Sequence, residues 1–369
     1  MRTQSQRPAP RARPACARAV APAASSPRRG PSADPRGAPA GRIEPTRCPA
    51  RRAANPLRGR QKYEAGVLRD EKILITGPAS QVALPLAREL ARNNEVFGLA
   101  RFSRAADRET LEALGVRCIP LDLAEGSLDA LPDDFGYVLN FAVVKSADAN
   151  FDYDLAANAE GAGRLLVHCR SAKAFLHCSS GAVYQYAGHD PLPESAPLGD
   201  NHRALFPTYS ISKIAAESVV RFAARQCNVP TLIARLSVPY GNNGGWPWFH
   251  LMMMKAGQPI AIHPERPNVY NPIHEDDYIA HVETLLQAAR VPALTVNWGG
   301  SEAVSIEDWC GYLCELTGLE PRFQETESAF GSLVLDLGRM HELVGKTTVS
   351  WRDGLRRMVE ARNPELLSR

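Results

Sequence analysis

Tyr209 and Lys213 stand four residues apart in the run Tyr209-Ser210-Ile211-Ser212-Lys213. In a helix that spacing puts both side chains on one face. A phenol with a pKa of about 10 is a poor base at neutral pH. An ammonium group beside it favours the phenolate. Such a hydroxyl can take a proton from an alcohol or return one to an alkoxide. Upstream, an apolar run ends in Cys178-Ser179-Ser180-Gly181. A serine hydroxyl at the end of a strand can hydrogen-bond the same substrate oxygen. An isolated Tyr-x-x-x-Lys also suits a partly buried tyrosine beside a snorkelling lysine on an ordinary helix. The elements around the pair decide between the two readings.

Lys72-Ile73-Leu74-Ile75-Thr76 is a short apolar run bounded by Gly77-Pro78, which predicts a buried parallel strand. Between Val82 and Asn93, apolar residues fall at Val82, Leu84, Leu86, Ala87, Leu90 and Ala91, a helical period. Glu95 to Ala100 then predicts a second strand. Strand, turn, helix and strand make a βαβ unit whose turn and helix start can cradle a phosphate. The cradle candidates are Gly77, Ala79, Ser80, Gln81 and Val82. The glycine pattern is degraded, because Ser80 and Ala83 stand where two further glycines are expected. A plain strand–helix turn is the alternative. An acid at the end of the second strand would accept from the adenosine ribose. This chain has Arg101 there, and a guanidinium pairs a phosphate. The cofactor expected is therefore NADP(H) rather than NAD(H), unless Arg101 is a solvated surface charge. Further strands are predicted over 117–121, 137–142 and 174–177, with a helix over 156–169. Asp122 and Leu123 follow the first of these strands, where a carboxylate can accept from an adenine amino group.

From about Lys72 to Val359 the chain resembles the extended short-chain dehydrogenases/reductases, the NAD-dependent epimerase/dehydratase group. The resemblance rests on Ser-Ser-x-x-Val-Tyr at 179–184, Tyr-x-x-x-Lys at 209–213 and Arg235-x-x-x-x-Tyr240-Gly241. Asn158-x-x-Gly161, Pro272 to Asp277 and Asn297-Trp298-Gly299-Gly300 extend it. It implies an α/β fold, a Rossmann-type doubly wound parallel sheet with a smaller C-terminal substrate lobe. Ser180, Tyr209 and Lys213 would then be catalytic, with Tyr209 and Lys213 also near the cofactor. Phe141, Ala142, Lys145 and Asn158 would join the cofactor site. The dinucleotide-binding domain is expected over 71–240. The substrate lobe is expected mainly over 241–369, with 267–300 returning to the sheet. A homodimer packed through helices at about 156–170 and 208–226 is implied as well.

Departures from the family pattern narrow the chemistry. Gly181 and Ala182 occupy the places of the Asp-Glu pair of 4,6-dehydratases, so water elimination is not expected. Val238 and Tyr270 stand where nucleotide-sugar enzymes often carry an Asn and an Arg that hold a diphosphate. The expected activity is hydride transfer to or from a secondary alcohol or carbonyl of a small molecule. An epimerase with transient oxidation and a non-catalytic dinucleotide sensor are the alternatives. Trp246 to Phe249 and Met252 to Met254 can line an apolar pocket or form an ordinary lobe core. His274, Glu275, Asp276 and Asp277 are consecutive, so they point different ways and suit a turn and helix cap better than a metal.

The net charge of +3 conceals a division. Residues 1–70 hold fifteen Arg and one Lys against four acids, and the rest holds 27 bases against 36 acids. The acidic remainder carries no nucleic-acid footprint. The first seventy residues contain 15 Ala, 15 Arg and 11 Pro with one aromatic, so they are expected to be a disordered tail, whose readings are a targeting segment, a basic arm for nucleic acid or an anionic surface, or no native part of the protein. No run approaches eighteen apolar residues, so no membrane helix is expected. The eight cysteines are sparse and irregular, which suits free thiols of a cytoplasmic protein.

Overall fold

The computed structural model describes residues 68–146, 148–200 and 202–367. The Arg-rich segment up to residue 67 lies outside the described residues. Strands β1 (Lys72–Thr76), β2 (Glu95–Ala100), β3 (Arg117–Pro120), β4 (Tyr137–Asn140), β5 (Ala174–Ser180), β6 (Thr231–Leu236) and β7 (Leu294–Trp298) form one sheet. Every pairing in it is parallel, in the order 3-2-1-4-5-6-7. The strand order reverses between β1 and β4, and ligands of open α/β sheets bind outside the strand ends at such a point.

The continuous apolar runs form buried strands because helices cover both faces. Successive side chains alternate between the two faces. Ile73 and Ile75 belong to one hydrophobic cluster, and Leu74 belongs to the other. The Leu74 side is closed by α4 (Gly161–His168) and α5 (Tyr209–Cys227), through Leu165, Leu166, Val220 and Ala223. The opposite side packs on α1 (Ala83–Leu90) and α7 (Glu275–Gln287), while α2 (Ala105–Ala113) adds Leu111 to the same cluster.

Ahead of α4, α3 (Phe151–Leu155) runs through a π-turn at Ala156–Glu160. This helical stretch opens earlier than its apolar period predicts, because the Asn150 side chain caps it by accepting from the Tyr153 N–H at 3.1 Å. The helix α7 likewise begins at Glu275, with the imidazole of His274 accepting from the Asp276 N–H at 3.2 Å. The capping reading of the His274–Asp277 run thus describes its geometry. The strand predicted over 137–142 stops at Asn140, because the Ala142 N–H turns away to the Thr76 hydroxyl at 3.0 Å.

The remaining elements form the smaller lobe. Its helices are α6 (Trp246–Lys255), α8 (Ile306–Thr317), α9 (Gly338–Val344) and α10 (Trp351–Arg362). Short strand pairs join Pro239–Gly241 to Ile273–His274, Ile260–Ile262 to Phe323–Glu325, and Val269–Tyr270 to Val304–Ser305. The helix α8 is closed at both ends, by a Ser305–Asp308 capping box and by Gly318 in the left-handed region.

A buried ion cluster ties α5 to the sheet. Glu217 accepts from Ser179 Oγ at 2.7 Å, from Arg235 Nε and Nη2 at 2.8 and 2.7 Å, and from Arg221 Nη2 at 2.9 Å. Burial pushes the Glu217 carboxyl up, and Arg235, Ser179 and Arg221 together more than offset that, so its pKa lies below the ordinary carboxylate value. The guanidinium also lies over the Tyr184 ring at 4.7 Å.

Candidate active site

The C-terminal ends of β1 and β4 and the middle of β5 carry a row of polar side chains. Thr76 Oγ1 donates to Asn140 Oδ1 at 2.6 Å, and Asn140 Nδ2 donates to His177 Nδ1 at 3.0 Å. That bond leaves the imidazole proton on Nε2, which has no partner. Burial first, and Lys213 next, push the His177 pKa down to about 3, so it is a neutral ring. The row holds the chain after β4 against the turn after β1, and two adjoining cavities open above it.

The first cavity is about 290 Å³ and lies beside the turn after β1. Gly77, Ala79 and Ser80 line it from the turn, and Arg101, Asp122 and Leu123 line it from the ends of β2 and β3. Phe141, Ala142 and Asn158 complete it. Gly77 has φ +63°, and a Cβ there would stand 3.0 Å from Ala142 Cα. A side chain would therefore fill the space at the start of the cradle. Ser80 replaces the second glycine without blocking the turn, because its hydroxyl accepts from the Ala83 N–H at 3.2 Å. These residues fit the diphosphate and adenosine of a dinucleotide.

Tyr153, which no sequence motif marked, bridges the two predicted adenosine contacts. Its hydroxyl donates to Asp122 Oδ2 at 2.6 Å and accepts from Arg101 Nη1 at 2.9 Å. Arg104 instead pairs with Asp107 in the next turn of chain. Asn158 lines the cavity, yet its amide is taken up by the protein. It accepts from the Val144 N–H at 2.7 Å and donates to the Val144 carbonyl at 2.8 Å and to Ser212 Oγ at 3.1 Å. The π-turn that carries it thus fastens the loop after β4 to α5.

The second cavity, about 440 Å³, is shared between the cradle and the smaller lobe. It gathers Gln81, Val82, Lys145, Ser180, Tyr209 and Lys213. Every catalytic and cofactor candidate drawn from the sequence therefore lines one of the two cavities, and Ser80 and Phe141 line both. Ser180 ends β5, and its hydroxyl accepts from the Ala182 N–H at 3.2 Å. Tyr209 opens α5. The preceding Thr208 donates to the buried Asp154 at 2.5 Å, and Ser146 of the β4 loop bonds the same carboxylate.

Lys213 is buried, and its ammonium donates to the Cys178 carbonyl at 2.7 Å. Burial lowers its pKa. Burial pushes the Tyr209 phenol up to about 12, with the Ser180 hydroxyl opposing the shift. The protein's own groups therefore keep this phenol protonated at neutral pH. Lys145 lies 4.5 Å over the Phe206 ring and 5.5 Å over the Tyr209 ring.

Of the Trp246–Met254 run, only Trp246 lines this cavity. Trp248 turns away to bond Asn363 at 3.0 Å, Phe249 is exposed, and Met254 joins the lobe core. The other aromatic walls are His202, Phe206, Tyr270 and Phe330, which the sequence reading had not assigned to a pocket. Among the described residues no helix is long and apolar enough to cross a membrane.

The same arrangement of strands recurs in solved structures. UDP-glucuronic acid 4-epimerase from Bacillus cereus, in complex with UDP-glucuronic acid and NAD, is 22% identical with a TM-score of 0.68, over 79% of this chain and 98% of that one. DesIV, a dTDP-glucose 4,6-dehydratase from Streptomyces venezuelae solved with NAD bound, is 22% identical with a TM-score of 0.69, over 79% and 97%. UDP-N-acetylglucosamine 4-epimerase from Methanobrevibacter ruminantium M1 is 14% identical with a TM-score of 0.70, over 80% and 99%. At these identities the likeness is one of fold. A comparison with curated proteins finds no match. The model of the NAD dependent epimerase/dehydratase family matches residues 73–297, well over half of the sequence. With the parallel sheet, the cradle and the Ser180–Tyr209–Lys213 cluster in place, the chain belongs to the NAD dependent epimerase/dehydratase family.

Proposed function

We propose that this protein is an oxidoreductase that works with a nicotinamide dinucleotide on a secondary alcohol or carbonyl of a small molecule. The observation that carries this reading is the convergence of Tyr209, Ser180 and Lys213 on the cavity that adjoins the cradle. When bound, the dinucleotide supplies the hydride donor or acceptor. The Tyr209 hydroxyl gives its proton to the oxygen being reduced, or takes one from the alcohol being oxidised. Ser180 holds the same oxygen. Lys213, anchored on Cys178, sets a positive charge one helical turn from the phenol. Tyr209→Phe should lower turnover on a true substrate by about 10²–10⁴-fold. A loss of only a few-fold would refute the role.

NADP(H) is the preferred form in this reading, although NAD is bound in the solved relatives described above. Arg101 gives one nitrogen to Tyr153, and its guanidinium is exposed at the rim of the adenosine cavity. The remaining N–H groups suit a 2′-phosphate. A homodimer is part of the same proposal. Ile211 and Phe222, three helical turns apart on α5, are 38% and 65% exposed, and Val167 on the adjoining α4 is 49% exposed. An apolar stripe of this kind on two neighbouring helices suits burial against a second copy.

A further inference from the structure

The cavity around Tyr209 has a continuous aromatic wall. His202 stacks on Phe330 with centroids 3.9 Å apart and 24° between planes. Phe330 lies 6.0 Å from Phe206 on one side and 6.0 Å from Trp246 on the other. Trp246 meets Tyr270 edge-on at 5.0 Å. The polar ends of this wall are occupied or neutral. Tyr270 spends its hydroxyl on the Phe330 and Gly331 carbonyls at 3.0 and 2.7 Å, so it offers its ring. Burial pushes His202 down to about 4, which keeps that ring uncharged.

Charge is confined to the Phe206–Tyr209 end of the cavity. Among the described residues lining the cavity there is no Arg, Asp or Glu; of its two lysines, Lys145 lies 4.5 Å over the Phe206 ring and 5.5 Å over the Tyr209 ring, and Lys213 sits one helical turn from Tyr209. Along Phe330, Trp246 and Tyr270 the lining offers no Arg to the diphosphate of a nucleotide sugar. Desolvating those phosphates without a partner is strongly unfavourable. The 440 Å³ must also hold the reacting end of the cofactor, so the space left suits a compact molecule.

From this wall we infer that the substrate is an uncharged, ring-bearing ketone or secondary alcohol, aryl or alicyclic, and not a nucleotide sugar. The inference rests on the oxidoreductase reading above and narrows it. In the reducing direction the carbonyl carbon takes a hydride from the reduced dinucleotide. Its oxygen takes the Tyr209 proton, and solvent restores that proton to the phenol. The products are the secondary alcohol and the oxidised dinucleotide.

The test compares 1-tetralone, a bicyclic aryl ketone, with UDP-glucose on the full chain. Binding is read by calorimetry and turnover by dinucleotide absorbance, for wild type, Phe330→Ala, Phe330→Leu and Trp246→Ala. Circular dichroism checks that each variant is folded. The ketone should be bound and reduced, with Kd and KM weakened about tenfold by Phe330→Ala and less by Phe330→Leu, and kcat little changed. Failure of the ketone to bind, or binding indifferent to both Phe330 and Trp246, would overturn the inference. Tyr209-dependent turnover of UDP-glucose would overturn it while leaving the oxidoreductase reading intact. Phe330-dependent binding of the ketone without reduction by either dinucleotide would uphold the ring specificity and sink the hydride-transfer reading instead.

Discussion

Replacing Glu217 by Gln should be among the most damaging single changes outside the cleft. The side chain keeps its size and loses its charge. In the native protein both carboxylate oxygens are used, one by Ser179 and Arg235 Nε, the other by Arg235 Nη2 and Arg221. A glutamine can still accept on one side, but its amide N–H₂ then faces the guanidinium donors on the other. Two hydrogen bonds to a charged group are lost, each worth about 1.5–3 kcal/mol. Arg235 is 2% exposed, so its charge cannot turn to water. Its remaining contacts are the Glu194 carbonyl at 3.0 Å and the Tyr184 ring. The combined cost should be about 3–5 kcal/mol, the range for breaking a buried pair from one side. Urea unfolding followed by circular dichroism reads this as a lower midpoint at unchanged slope. Pairing Glu217→Gln with Arg235→Met should recover much of the loss, because the orphaned charge is then gone. The reasoning fails if the single variant loses less than about 1 kcal/mol, or if the double variant is worse than the single one.

Three further outcomes follow from the same geometry. His177 is neutral in the fold and protonates in the unfolded chain below about pH 6.5, so the stability it contributes is complete above that pH and is lost as pH falls toward its depressed value. The loss should reach about 3 kcal/mol by pH 4.5, and His177→Gln should flatten the stability–pH slope by roughly one proton; equal slopes would show that the ring titrates normally. Arg101→Ala should weaken NADPH binding by about tenfold or more while moving NADH little, as calorimetric titration would show; equal losses would remove its phosphate role. Phe222→Glu should convert a dimer to a monomer in analytical ultracentrifugation without altering the circular dichroism spectrum, and an unchanged sedimentation coefficient would place the interface elsewhere.

The sheet was legible because a parallel strand buried on both faces must be a short unbroken apolar run. Lys72–Thr76 and Glu95–Ala100 are such runs, and they form β1 and β2 over those residues. The catalytic candidates were legible for a related reason. They sit at strand ends and the α5 start, and local spacing records such places. Tyr153 was not legible. Its hydroxyl meets Arg101 and Asp122 only after α3 packs beside the ends of β2 and β3, 52 and 31 residues away in sequence. The aromatic wall failed to show for the same cause. His202 and Phe206 come from the loop before α5, Trp246 from the first turn of α6, Tyr270 from a short strand and Phe330 from a loop near the end of the chain. No window of sequence holds enough of these rings to suggest a pocket, whereas Trp246 to Phe249 sits together and reads as one. The stretch supplies a single ring because helical geometry sends its neighbours to other faces.

Phe330 belongs to a strip that returns across the molecule late in the chain. Leu192 accepts from the Asp336 N–H at 3.0 Å and donates to the Val334 carbonyl at 2.9 Å, while the Leu333 N–H reaches the Val269 carbonyl at 2.8 Å. Leu333 presses on Gly181, where a Cβ would come within 2.6 Å of it. During synthesis all seven strands of the sheet leave the ribosome before this strip does. A nascent chain halted near residue 320 would already carry Ser180, Tyr209 and Lys213, yet would lack Phe330 and Leu333 from the wall above them. The strip adds the final panel to a cavity whose other rings, His202, Phe206, Trp246 and Tyr270, come from earlier in the polypeptide.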